Sequence, residues 1–151
     1  MRYEDLVKYF ENDEKIAELL TYLAENYFNV IDEYKDLLLA DELSTIDEMI
    51  KAKRNLQGII SSLEPIYSKA LSMKKQAEYR YYVVKKENCE KEGTKFTDSS
   101  TTTESKDAVR RYRDVRDLIR GYLNSANGIY YDIRDTLDRT KKEYNREKEN
   151  G

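Results

Sequence analysis

Six cations recur at intervals of seven residues or twice seven: Lys106, Arg113, Arg120, Arg134, Lys141 and Lys148, with Asn127 filling the gap. A period of seven keeps all of them on one flank of a helix. A regular cationic row can follow a phosphate backbone and draw affinity from released counterions. Arg110, Arg111 and Arg116 thicken the row at its start. The same charges can instead close exposed ion pairs. Arg113 with Asp117, and Arg134 with Asp138, stand four apart, a spacing that contributes about 0.2–0.5 kcal/mol on a helix surface.

A second group lies in 78-EYRYYVVKKE-87 and just before it. Lys75, Tyr79, Tyr82 and Lys86 are spaced 4, 3 and 4 and share a helix face opposite an apolar seam. Arg80 and Lys85 adjoin them. Rings interleaved with cations suit single-stranded nucleic acid, whose bases stack on the rings while the cations hold phosphates. The alternative is that Tyr79 and Tyr82 pack on another helix or a second subunit, where tyrosine is common.

Other chemistry finds little support. The chain contains no histidine and one cysteine, Cys89. The usual near-neutral acid–base group is therefore missing. There is no glycine-rich phosphate loop, no His/Cys metal spacing and no Ser/His/Asp set. Carboxylate pairs such as Asp13/Glu14 and Asp32/Glu33 fall on charged faces, without the pocket that shifts a catalytic pKa. The expectation is a protein that is not an enzyme and takes no metal or cofactor. A single cysteine forms no internal disulfide, which suits the cytoplasm, and Cys89 reads as an inert or mildly exposed thiol. No apolar run approaches the roughly 18–20 residues of a membrane span. The start MRYEDLVKYF reads as too short and too acidic for a secretory leader.

These groups need elements to carry them. Of 151 residues, 38% are charged and 39% hydrophobic, with five glycines and one proline. Few breakers and many charges fit long amphipathic helices. Tyrosine totals 14 against three phenylalanines and no tryptophan. Such a core is thin, and a homo-oligomer would help to stabilise it. Charge is uneven: residues 1–50 hold 14 acidic and 4 basic residues, a formal −10, and the remainder holds 16 and 23, a formal +7.

The fold expected is all-α: a long antiparallel helical hairpin over residues 44–148, preceded by an acidic helical segment over residues 1–42. A short helix over residues 3–10 precedes one from near Asp13. The second has a seam at Ile16, Leu20, Leu23, Tyr27, Val30, Tyr34 and Leu37, with Glu18, Glu25 and Asp32 on the opposite face. Ser44 reads as the cap of the next helix, with Asp47 three residues on. Met49, Ala52, Leu56, Ile59, Leu63, Ile66, Ala70, Met73, Ala77 and Val84 keep one register, interrupted only by Arg80. Pro65 should kink or split that helix. Residues 88–105 read as the hairpin loop. The last helix, from about Thr103 to about Lys148, carries a seam at Tyr112, Val115, Ile119, Tyr122, Ala126, Ile129 and Ile133, widened by Leu123, Tyr130 and Leu137.

The run Ala77-Glu78-Tyr79-Arg80-Tyr81-Tyr82, the charged glycine-containing loop and 112-YRDVRDLIRGYLNSANGIYYDIRDTLDRT-140 together resemble the UvsY-type recombination mediators of tailed phages. The resemblance covers roughly residues 70–140 and is one of pattern. It implies a ring-like oligomer that binds single-stranded DNA and helps a recombinase displace single-strand-binding protein. Its implied contacts here are Lys74, Lys75, Arg80, Lys85 and Lys86. A different class also fits: an inhibitor or adaptor of a host protein, with Glu18, Glu25 and Asp32 imitating nucleic acid. A plain coiled-coil structural role is a third.

Overall fold

A computed structural model describes residues 3–151. Helix α1 spans Tyr3–Tyr9 and α2 spans Asp13–Leu23. A π-helical turn, Ala24–Phe28, leads into α3, Asn29–Leu39. Then come α4 (Ile46–Glu92), α5 (Asp98–Ala108) and α6 (Arg110–Asn150). The all-α expectation holds, and α4 and α6 pack together as the arms of a hairpin.

Helix ends follow from local chemistry. Asn12 caps α2, its side-chain oxygen accepting from the Lys15 amide at 2.9 Å. At α4 the capping pair is Thr45 and Glu48, not Ser44 and Asp47. The Thr45 hydroxyl accepts from the Glu48 amide at 3.2 Å. The Glu48 carboxylate accepts in return from the Thr45 and Ser44 amides, at 3.2 and 3.3 Å. Glutamate has the reach that aspartate lacks, so the box moves one residue along. At the other end of α4, Gly93 adopts φ +68°, and the Thr94 amide donates to the Cys89 carbonyl at 3.0 Å. That is a left-handed glycine closing a helix.

The breaks differ from expectation. Helix α4 continues through Pro65, so of the kink or split expected there the split does not occur. Residues 88–105 are mostly helical: α4 continues to Glu92, and α5 occupies Asp98–Ala108, leaving only residues 93–97 as a connection. Correspondingly, the final helix begins at Arg110, after a separate short helix and a break at Val109 (φ −102°, ψ 14°).

The chain forms two compact units, each built from distant segments: Met1–Leu20 with Pro65–Ile119, and Thr21–Glu64 with Arg120–Gly151. In the first, Leu6, Phe10, Ile16 and Leu19 are buried, as are Ile66, Ala70, Val115 and Ile119. Arg111 binds Asp13 at 2.8 Å, and the Tyr112 hydroxyl donates to the Phe10 carbonyl at 3.2 Å. In the second, Leu23, Phe28 and Ile31 are buried, as are Leu56, Leu63, Ala126, Ile129 and Ile133. Phe28 stacks on Tyr122, with ring centroids 4.0 Å apart and planes at 8°. Each fully buried aliphatic side chain contributes about 1.5–3 kcal/mol.

The α6 seam is as expected from its spacing. The seam over residues 13–39 is not. Buried positions are Ile16, Leu19, Leu23, Phe28 and Ile31, steps of 3, 4, 5 and 3. The step of 5 falls on the π turn, where the Asn29 amide donates to the Ala24 carbonyl, five residues back. Asn26 supplies the Tyr22 carbonyl with a side-chain donor at 2.8 Å. A π turn is one residue inserted into an α-helix; it rotates everything after it. This places Phe28 and Ile31 inside, in place of Tyr27 and Val30. It also turns Asp32 inward, where its carboxylate accepts from Tyr122 at 3.0 Å. Glu18, Glu25 and Asp32 are therefore not one outward acidic row.

A deletion tests this phasing. Removing exposed Glu25 changes the steps to 3, 4, 4 and 3, an ordinary α-helix, and the melting temperature should stay within a few degrees. Removing exposed Glu18 rotates Ile16 about 100° relative to Leu19 and should broaden or abolish cooperative melting. Equal tolerance of both deletions would contradict the assignment.

Gly128 lies exposed in mid-α6, with nothing within 4 Å of where a Cβ would stand. Gly128→Ala should stabilise the protein by about 0.5–1 kcal/mol through the unfolded chain and helix propensity. Urea denaturation reads this directly, and a destabilised variant would refute it.

Candidate nucleic-acid interface

The site is built on the C-terminal half of α4. Up to Ala70 its buried residues follow the expected seam; beyond, Met73 and Ala77 are half-buried and Val84 is 53% exposed. The inward stripe drifts instead through half-buried Lys74, Glu78, Tyr81 and Lys85 to buried Cys89. Cys89 is thus a small core residue, which excludes the mildly exposed thiol and agrees with the inert one. The drift leaves polar and aromatic groups where a uniform seam would put aliphatics.

Lys74, Lys75, Glu78, Tyr79 and Tyr82 of α4, with Thr102 and Ser105 of α5, line one shallow groove. Three of the residues singled out by spacing, Lys75, Tyr79 and Tyr82, thus share a surface with Lys74, which the resemblance implied. Tyr79 is 70% exposed, and its ring is available to a planar ligand. Tyr82 is half-buried: its hydroxyl donates to the Asp98 carboxylate, and its ring meets Phe96 edge-on at 5.4 Å. The hydrogen bond to Asp98 holds the Tyr82 phenol above its ordinary pKa, so it remains a donor. Lys74 is paired with Glu78 at 2.8 Å. Lys75, Arg80 and Lys86 are exposed, with the Lys86 ammonium 5.9 Å from the Phe96 ring. Lys85 pairs with Glu104 at 3.6 Å.

The α6 cations are distributed differently. Lys106, at the end of α5, and Arg110 and Arg120 on α6 are exposed. Arg113 and Arg116 are half-buried. Arg110 approaches Asp114 at 4.0 Å, and Arg116 holds Asp117 at 2.6 Å. The partner of Arg134 is Asp135, at 3.1 Å, not Asp138, because its guanidinium folds over the Tyr131 ring, 4.7 Å from the centroid.

Arg120, Arg134, Lys141 and Lys148 belong to the second compact unit, and the remaining candidates to the first. Spacing missed Phe96, Asp98, Thr102, Glu104 and Ser105. They lie in a stretch whose Ser/Thr content hid a helix, although Thr101 and Ser105 are spaced i, i+4. Among the described residues, no three His, Cys, Asp or Glu side chains are placed to share a metal ion, and no helix is long and apolar enough to cross a membrane.

No family model, curated protein or solved structure matches the chain. What the groove can do is therefore argued from its own atoms. It offers the exposed Lys75 ammonium for phosphate, the open Tyr79 face for a base and the exposed Thr102 hydroxyl as a supplementary donor, while Lys74 is held by Glu78 and Ser105 donates to the Thr102 carbonyl.

Tyr122, in the second unit, provides a measure of how firmly the neighbouring acidic segment is held. Burial first, and then its hydrogen bond to Asp32, raise its pKa above the ordinary tyrosine value. The neutral phenol is favoured in the folded state, so this contribution is complete below about pH 10 and is lost as pH rises through the higher folded value. The stability advantage of wild type over Tyr122→Phe should therefore shrink above about pH 10. A constant difference across that range would contradict it.

Proposed function

We propose that this protein is a non-enzymatic binder of single-stranded DNA that assists a recombinase in the cytoplasm, acting as a homo-oligomer. One observation carries the reading: Lys74, Lys75, Tyr79 and Tyr82 line a single groove, and Tyr79 is largely open to solvent. Cations beside an accessible ring are the minimal kit for sequence-tolerant binding of a single strand. The exposed Lys86, Arg80 and Lys106 extend the positive surface along which phosphates would run. The recombinase-assisting role rests on the resemblance to UvsY-type mediators. Association is supported by exposed apolar side chains, Leu39 at 77% and Val84 at 53%, which a second copy would cover.

Fluorescence anisotropy against single- and double-stranded oligonucleotides at two salt concentrations tests the binding. Preference for the single strand, weakening steeply with salt, is the expected result. Absence of binding at low salt would end the reading. Light scattering on the same samples reports the oligomer, and a strict monomer at high concentration would remove that part of the proposal.

The adaptor reading is weakened by the inward position of Asp32. It would regain ground only if the protein captured a DNA-binding enzyme while showing no DNA affinity of its own.

A further inference from the structure

Helix α5 is held to α4 in an unusual way. Its sequence, DSSTTTESKDA, is made largely of weak helix formers. The buried residues in it are Thr101 and Ser105, 3% and 2% exposed, so its packed face carries hydroxyls where a docked helix ordinarily carries aliphatics. Thr97, at its N-cap, makes no side-chain capping bond. Gly93 at positive φ lies before it and the irregular Val109 after it. What fastens it is a set of polar contacts to α4. Asp98 accepts from Tyr82. Glu104 accepts from Tyr81 at 3.4 Å and pairs with Lys85 at 3.6 Å.

The donors in these contacts are the kind a nucleic acid needs. Tyr82 lines the groove, Lys85 adjoins it, and all three lie on the face that α5 covers. A phosphate oxygen is chemically equivalent to the carboxylate it would replace: each accepts from a phenol and pairs with an ammonium.

Building on the single-strand reading, we infer that α5 is an autoinhibitory strap. When it is closed, Asp98 and Glu104 occupy Tyr82, Tyr81 and Lys85. When it is open, those groups join Lys75 and Tyr79 in one longer surface, and the strand's phosphates take the places of the two carboxylates. A segment fastened by few, partly exposed polar contacts belongs to the low-stability end of a protein's local openings. Affinity is then reduced by the fraction of molecules in which the strap is closed.

The test uses two pairs of charge-neutral substitutions on the exposed side of α5, at Ser99 and Thr103. Ser99→Gly with Thr103→Gly lowers helix propensity; Ser99→Ala with Thr103→Ala raises it. Neither pair touches the groove or alters net charge. Hydrogen exchange on the full-length protein measures opening, and anisotropy with an oligo-dT strand measures affinity. In wild type, α5 amides should exchange at least about tenfold faster than those in the middle of α4. The glycine pair should speed α5 exchange further and tighten binding by about three- to tenfold; the alanine pair should do the reverse. Wild-type α5 amides as protected as those of α4 would overturn the strap. So would variants that shift exchange as designed while affinity stays constant. Failure of wild type and the glycine pair alike to bind any oligonucleotide would overturn the single-strand reading itself, and the inhibitory role with it.

Discussion

Phe28→Ala is expected to cost about 3–5 kcal/mol, the range for deleting a buried aromatic ring. Phe28 is 4% exposed and lies flat on Tyr122 at 4.0 Å, so truncation removes both apolar burial and a ring contact that contributes about 0.5–1.5 kcal/mol of its own. Against a total stability of about 5–15 kcal/mol for a domain, the second compact unit would be left close to unfolding. Tyr122→Phe separates the terms. It keeps the stack and loses only the hydrogen bond to Asp32, for about 1 kcal/mol. Urea denaturation followed by circular dichroism and tyrosine fluorescence measures both. Tyr144→Ala, at a 63% exposed ring, is the control and should change little. A Phe28→Ala protein as stable as that control would mean that the π turn does not place this ring in a packed core.

Tyr79→Ala should weaken single-strand binding by about 1–3 kcal/mol per stacked base, roughly 5- to 160-fold, while leaving the salt dependence nearly unchanged. Because Tyr79 is 70% exposed, its removal should not disturb folding. Lys75→Gln with Lys106→Gln should act on the other term, lowering the salt slope by about 0.7 for each phosphate no longer neutralised. Tyr82→Phe is the informative companion: its ring remains on Phe96, and only the bond to Asp98 is removed. Wild-type affinity in Tyr79→Ala would show that no base stacks there. Wild-type affinity and slope in the lysine variant as well would remove the groove as a DNA surface.

The parts of this architecture that spacing could reveal are those where one residue type dominates one period. In α6, Val115, Ile119, Leu123, Ala126, Ile129 and Ile133 recur at 3 and 4, and all are buried. In the segment preceding α4, Tyr27 and Phe28 are adjacent, and so are Val30 and Ile31. Either phase looks apolar, and the π turn that chooses between them leaves no mark on hydrophobic periodicity. Helix α5 was hidden for another reason. Propensity argues against it, and the tertiary contacts of Asp98 and Glu104 that favour it are not readable along the chain. The groove residues of α4 were legible because cations and rings alternate there. That Tyr82 is tied up while Tyr79 is free to stack depends on Asp98, 16 positions further on.

The interleaving of the two compact units has a consequence during synthesis. Asp13 and Arg111, bonded in the finished protein, are 98 positions apart. At a translation rate of about 5–20 residues per second, the apolar face of α2 waits roughly 5–20 seconds for the helix that covers it. Neither unit exists as a contiguous stretch that could fold early and shelter the other. Leu19, Leu23, Phe28 and Ile31, buried at the end, are all made in the first third of the chain, and Phe28 lacks its stacking partner Tyr122 until α6 emerges. A nascent chain with that order of events is a natural client for chaperones that recognise short apolar helices.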